Sequence, residues 1–156
     1  MDAEPGQSNP ASIQWSGIDI TGISSLDFSG DFASIAFGNG GPDAADSCLF
    51  EYSTDGGTTW NDLISFRSTL ATNGVFAEDT DGDGVGDGTS LTSAMQNFRK
   101  TIAVSATTLD LRVTVASGSG SEDIAFEEIQ LYETPVFTMD FVNVQFPATG
   151  TITAAT

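Results

Sequence analysis

Four carboxylates in the run Asp79-Thr80-Asp81-Gly82-Asp83-Gly84-Val85-Gly86-Asp87-Gly88 stand two or four residues apart, with glycines between them. That pattern suits a loop wrapped around a hard cation. Calcium takes about six to eight oxygen ligands, and the twelve-residue calcium loop draws them from its first, third, fifth, seventh (backbone carbonyl) and ninth positions, with glycine at the sixth. Here those positions are Asp79, Asp81, Asp83, the Val85 carbonyl and Asp87, with Gly84 at the turn. The twelfth, where a bidentate Glu would complete an EF-hand, is Ser90, and no amphipathic helix precedes the loop. The pattern therefore predicts a structural Ca2+ site that fixes a long loop, against the alternative of an acidic, glycine-rich surface loop that binds nothing.

The rest of the catalytic inventory is thin. The chain has no histidine, which removes Ser-His-Asp and Cys-His triads, His-ligated zinc and the commonest general base. Cys48 is the only cysteine, so an internal disulfide and a thiolate zinc cluster are excluded. It alternates with Phe50 and Tyr52 and reads as a small core residue. Carboxylates are plentiful, and a glycosidase pair such as Glu127 with Asp140 can be drawn, but no spacing selects one pair over another. The expectation is a protein without catalytic residues.

Charge narrows the setting. Lys100, Arg67, Arg99 and Arg112 face 22 acidic residues, a net charge of −18, which argues against tracking phosphates in nucleic acid. Bound divalent cations or external salt would relieve the self-repulsion of such a chain. The segment Met1-Asp2-Ala3-Glu4-Pro5 lacks the basic and apolar regions of a secretory signal, and no apolar run approaches membrane-span length. We read the chain as a piece of a larger secreted or cell-surface protein, without membrane insertion.

The elements that must hold the loop are strands. Leu109, Leu111, Val113 and Val115 alternate with Asp110, Arg112 and Thr114, the mark of a strand with one buried face. Leu26, Phe28 and Phe32 follow the same period, as do Cys48, Phe50 and Tyr52. Ile124 and Phe126 are out of phase with Ile129 and Leu131, which predicts a bulge across Glu127-Glu128. Turn signals at Gly38–Pro42, Asp55–Gly57, the aspartate loop and Ser117–Gly120 separate the runs. Leu91, Met95, Phe98 and Ile102 are spaced like a helix face behind a Ser90 cap, read here as a helical turn running into a strand at about Gln96. The fold class is all-β, a two-sheet antiparallel β-sandwich of the jelly-roll kind.

Ser53-Thr-Asp-Gly-Gly-Thr-Thr-Trp60 fits the Asp-box pattern Ser-x-Asp-x-Gly-x-Thr-Trp. Its mechanics are those of a hairpin: Asp55 can accept backbone N–H groups, Gly56 and Gly57 allow positive φ, and Trp60 packs beneath. Sialidases carry several such boxes on propeller blades, but one box in 156 residues is far too little for a propeller. The box reads as structural.

A second acidic run, Ser121-Glu-Asp-Ile-Ala-Phe-Glu-Glu-Ile-Gln-Leu131, resembles the closing strand of calcium-bound jelly-roll domains, where a pattern close to Gly-Glu-Glu-Ile-Ala-Phe-Asp-Asn-Ile recurs. Trp15-Ser-Gly-Ile-Asp-Ile-Thr-Gly22 is similar to their early strand, Phe50–Trp60 to their central hairpin and Asp79–Leu91 to their glycine-aspartate loop. Related arrangements occur in carbohydrate-binding and meprin-type adhesion domains, and in modules attached to secreted bacterial lamin-tail nucleases. The resemblance covers roughly residues 4–133 and implies a second calcium between the N-terminal segment and the closing strand, carried here by Glu4 or Asp2, Glu122 and Glu127. Glu127 replaces the family's usual Asp, a longer side chain that would shift the ion, and the aromatic strand expected upstream of Glu4 is absent. The alternative for Glu127 and Glu128 is a bulged, solvated edge that discourages aggregation.

From Thr134 to Thr156 the only charged side chain is Asp140. Phe137, Met139 and Phe141 alternate, and Val142, Val144 and Phe146 continue in the opposite phase. This is a last strand of the sandwich, or a linker with the opening strand of a following domain; the composition inclines toward the second, giving a module at residues 1–133 and a separate segment at 134–156. An exposed apolar strand there would promote self-association.

The leading functional expectation is a non-catalytic, calcium-stabilised module for glycan binding, adhesion or domain spacing, with a glycan or neighbouring domains of the parent chain as partners. Trp15, Trp60, Tyr52 and Tyr132 are the aromatics available for a sugar platform, although hairpin or core packing accounts for each equally well. The rival expectations are an accessory fragment of an extracellular nuclease or glycosidase, and a surface-layer or filament subunit assembling by strand exchange.

Overall fold

The computed structural model describes residues 10–36, 40–118 and 122–135. Eight strands run through them: β1 Ala11–Asp19, β2 Ser25–Ala36, β3 Ser47–Ser53, β4 Asn61–Ser68, β5 Phe76–Glu78, β6 Gln96–Ala103, β7 Thr108–Ala116 and β8 Glu122–Glu133. They form one sheet in the order β1-β7-β3-β4-β5 and a second in the order β6-β2-β8, with every pairing antiparallel. The all-β, two-sheet sandwich predicted from period-two patterning is the observed architecture. Among the described residues there is no helix, and so none long and apolar enough to cross a membrane.

Between the sheets lies an aromatic core, because alternation puts every second side chain of each strand inside. Phe32 of β2 occupies its middle, with its ring centroid 5.3 Å from Phe50 of β3, 4.8 Å from Phe66 of β4 and 5.8 Å from Phe98 of β6. Edge-to-face and tilted pairs of this kind add about 0.5–1.5 kcal/mol each beyond the burial of area. Leu109, Leu111, Val113 and Val115 are all buried, as their alternation predicts. Cys48 is fully buried beside them, and burial pushes its thiol up to about 12, so it packs as an inert apolar side chain.

The bulge falls where the phase break predicts it. Glu128 adopts a positive φ of 50°, and Glu128 with Ile129 oppose Gly30 alone between the pairs Ser29–Gln130 and Asp31–Glu127. Gly30 is needed there: a Cβ would lie 2.5 Å from Ile129 Cδ1 and 2.9 Å from the Phe32 ring. The strand expected near Gln96 begins at that residue. The residues before it form no helical turn. Instead Gln96 folds back, its Oε1 accepting from the Thr92 N–H at 2.8 Å and its Nε2 donating to the Ser90 carbonyl at 3.2 Å, which leaves Met95 exposed while Phe98 and Ile102 enter the core. Local side-chain hydrogen bonds thus replaced the helical ones. The separate segment expected at 134–156 lies, apart from Thr134 and Pro135, outside the described residues.

Candidate metal centre

The aspartate loop leaves the sandwich at the end of β5 and returns at the bridge between Ala77 and Ser90. Its base is closed by the backbone: Asp87 and Gly88 donate to the Glu78 carbonyl at 3.0 and 2.7 Å, and Glu78 donates to Thr89 at 3.0 Å. Two further bonds press it onto the sheet, Asp79 N–H to the Ser65 carbonyl at 2.8 Å and Gly86 N–H to the Ser68 carbonyl at 3.0 Å. Gly86 is buried at this seat, where a Cβ would stand 2.5 Å from the Arg67 carbonyl oxygen and 2.8 Å from that of Ala77. Rigid attachment of both ends lets a short loop hold its side chains in one arrangement.

Within it, Asp79, Asp81 and Asp83 each offer a carboxylate oxygen, and the three oxygens lie within 4.8 Å of one another. The cluster can hold a metal ion. Asp79 is positioned by the N–H groups of Gly82 and Gly84, which donate to its two oxygens at 2.8 and 3.0 Å. Those glycines stand at φ of 76° and 90°, where a side chain would be strained. Asp81 accepts from Asp83 N–H at 3.2 Å, and Asp83 accepts from Val85 N–H at 2.9 Å. An all-oxygen set of three carboxylates suits a hard divalent cation, and three like charges so close repel unless one is present.

Asp87 stands apart from the three. Its Oδ1 accepts from both the backbone N–H and the hydroxyl of Thr80 at 2.8 Å each, bonds that hold the carboxyl below its usual range. It clasps the two arms of the loop. Val85, the candidate carbonyl donor, is exposed at the turn. Beside the cluster opens a cleft of about 330 Å³ lined by Asp62, Ser65, Glu78, Asp79, Asp81 and Lys100 among others.

The second candidate set divides. Glu122 and Glu127 lie five residues apart on β8 with an unbroken register to β2 between them, so they project from opposite faces. Glu122 is buried and Glu127 exposed. A single ion held by both is inconsistent with that geometry, and Glu4, its third ligand, lies outside the described residues together with Asp2. Glu122 instead meets Asp46, a residue the sequence reading passed over. Asp46 is 1% exposed and accepts from Asp43 N–H at 2.7 Å and Gly118 N–H at 2.8 Å. Burial pushes the Glu122 carboxyl up to about 7, helped by the charge of Asp46 and a hydrogen bond with it, while the Ser117 hydroxyl, 3.3 Å away, works against the shift. Asp46 lies 76 residues before Glu122, too far for any local pattern to join them.

The Asp-box hairpin is structural. Asp55 Oδ1 accepts from the Ser53 hydroxyl at 2.8 Å and from the N–H groups of Thr58 and Thr59 at 3.0 and 2.9 Å, and Thr59 Oγ1 donates to its Oδ2. Trp60 Nε1 donates to the Gly57 carbonyl at 3.1 Å, and the Arg112 guanidinium stacks 4.0 Å over the indole while making a forked pair with Glu51 at 2.9 Å. Trp60 is therefore engaged, and Tyr52 packs against the core. Of the two tryptophans only Trp15 stands exposed.

A scan of protein-family models, a search of curated proteins and a search of solved structures each return no match. The jelly-roll resemblance read from the motifs gains and loses nothing by them, and the geometry above is what bears on function.

Proposed function

We propose that the chain is a calcium-stabilised, non-catalytic β-sandwich module of a secreted or cell-surface protein, serving glycan binding, adhesion or the spacing of neighbouring domains. The observation that carries this reading is the convergence of Asp79, Asp81 and Asp83 within 4.8 Å on a loop whose ends are fastened to the sheet. Its role in that reading is mechanical. A divalent ion neutralises three charges that otherwise repel, and fixes the stretch between β5 and β6. The net charge of −18 fits an extracellular, calcium-rich or saline setting.

Thermal unfolding in chelator against a Ca2+ titration, with Mg2+ and NaCl as controls, tests it, because an ion bound only by the folded state stabilises by mass action. A saturable, Ca2+-specific rise in Tm that Asp81→Ala diminishes is the expected result. Equal stabilisation by any salt would reduce the cluster to a repelling acidic surface and leave a halophilic structural domain.

A further inference from the structure

Among the described strands β5, β6, β8 and β1 are edges, and an open edge is a row of backbone groups ready to take another strand. The first three are guarded. β5 is short, and the returning loop bonds its outer side, Glu78 N–H to the Thr89 carbonyl at 3.0 Å and Leu91 N–H to the Phe76 carbonyl at 2.7 Å. β6 turns a charge inward: Lys100 is paired with Phe28, a core residue, and so stands on the inner face. β8 is bulged at Glu128 and exposes Glu127, Glu128 and Glu133. β1 has no such guard over Ala11–Trp15, a stretch in unbroken register with β7. In a chain of net charge −18, no charged side chain stands from Pro10 to Ile18.

That edge is also apolar on its inner side. Ile13 and Trp15 are paired with Val113 and Leu111, core residues of β7, and so point inward, yet each is 42% exposed. Beside them an apolar groove of about 280 Å³ runs from Trp15 and Ile18 to Ile129 and Leu131 of β8. We infer that β1 is the seat of a second copy of this chain, whose own β1 pairs with it antiparallel across a two-fold axis. Charge selects that occupant and that edge. Two chains of −18 repel wherever acidic faces meet, and β1 is the edge where they meet without charge. The aspartate loop leaves from β5, at the far side of the same sheet, so joining at β1 sends the two loops to opposite ends of one continuous sheet.

The strand's own irregularity sets the register. The pairing with β7 shifts between Trp15 and Ile18, and the regular stretch before it, Ala11–Trp15, is centred on Ile13. An axis at Ile13 pairs all of that stretch with its mate: Ile13 meets Ile13 of the copy, Trp15 lies opposite the small Ala11, and Ser12 lies opposite Gln14. The inner faces of the two strands then coincide, and Trp15 sits diagonally across from the copy's Ile13, within reach of an aromatic ring. The exposed apolar side chains of both copies cover one another at the mouth of the groove. Ser12 and Gln14 remain on the outer face, and the two Asp19 carboxylates fall at opposite ends of the junction.

The test is sedimentation of the full chain across a dilution series, with charges placed on the outer face of β1 where they leave the core untouched. The unaltered chain should show a reversible monomer–dimer equilibrium. Ser12→Glu/Gln14→Glu sets like charges opposite each other twice across the axis and should weaken the dimer about 10-fold. Ser12→Lys/Gln14→Glu sets opposite charges there and should dimerise at least as tightly as the unaltered chain. Hydrogen exchange reads the same contact without substitution: the β1 amides that β7 does not bond should slow as the concentration rises. A monomer at every concentration, or a dimer that Ser12→Glu/Gln14→Glu leaves intact, would overturn the inference. Equal weakening by both variants would overturn the two-fold pairing at Ile13, and growth beyond a dimer would overturn it in favour of a head-to-tail assembly.

Discussion

Two aspartate-glycine turns on the five-stranded sheet answer the same question differently. In the hairpin at Ser53–Trp60 one carboxylate, Asp55, is surrounded by donors from its own turn: Ser53, Thr58 and Thr59. In the loop at Asp79–Gly88 three carboxylates converge, and their donors are single N–H groups of the loop, two to Asp79 and one each to Asp81 and Asp83. The first turn is complete without any partner. The second concentrates three carboxylates that could hold a metal ion. What separates them is the ratio of donors to carboxylates, not the abundance of Asp and Gly.

The widest separation of the two should come from calcium. At a free concentration one hundred times the dissociation constant, a native-state ion adds about 2.7 kcal/mol. For a chain of this size that is roughly a 5–10 °C rise in Tm. Differential scanning calorimetry of Asp81→Ala should show most of that increment lost, whereas Asp55→Asn should keep it in full. An increment that Asp55→Asn also abolished would break the distinction between the turns.

Next in size is the seat of the loop. Gly86→Ala places a methyl group 2.5 Å from the Arg67 carbonyl oxygen, and since that neighbour is backbone it cannot swing aside. Overpacking of this kind costs about 1–3 kcal/mol. Chemical denaturation should show the loss, and isothermal titration should show weaker Ca2+ binding although no ligand has been changed. Binding as tight as in the parent would mean the three aspartates need no fastening to the sheet.

On the hairpin side, Ser53 is fully buried and its hydroxyl serves Asp55 and the Gly57 N–H together. Ser53→Ala leaves those groups short of a partner and should cost about 1–2 kcal/mol, equally with and without Ca2+. A cost that grew in chelator would tie the hairpin to the ion loop after all.

These contrasts show what could be read ahead of the structure. Strand periodicity, the bulge at Glu128, the hairpin and the converging trio are all local, set by residues within a few positions of one another, and alternation or turn chemistry reveals them. The part Asp87 plays was hidden because the calcium-loop pattern counts positions, while the Thr80 hydroxyl that captures its carboxylate is invisible to counting. The Glu122–Asp46 contact joins β8 to the start of β3 across the fold, and no spacing rule reaches that far. The opposite facing of Glu122 and Glu127 was available from an odd separation on one strand, and the family pattern obscured it. At Leu91–Met95 a helical period lost to three side-chain hydrogen bonds, those of Thr92 and Gln96.

The smallest effects should appear in the pH dependence, where a third arrangement joins the two turns. Glu122 accepts from the Ser117 hydroxyl and shares its site with Asp46, and burial first, then the charge of Asp46, raises its carboxyl from 4.5 to about 7. A raised carboxyl favours the protonated form in the folded state, so its contribution is full below pH 4.5 and is lost as pH rises through 7. In chelator, Tm should therefore decline across that window, and Glu122→Gln should flatten the decline. Asp55 has the opposite sign. Its folded value, lowered to about 2 chiefly by the Thr59 hydroxyl and N–H and the Ser53 hydroxyl, makes its contribution full above about pH 4 and lost as pH falls toward 2. The group is solvent-exposed, so screening keeps this step slight, and Asp55→Asn should remove it while leaving the Glu122 decline intact. Because the two windows do not overlap, one pH series separates a carboxylate satisfied by the donors of its own turn from one raised by burial beside a second carboxylate, and a single merged transition would show that the two sites are not independent.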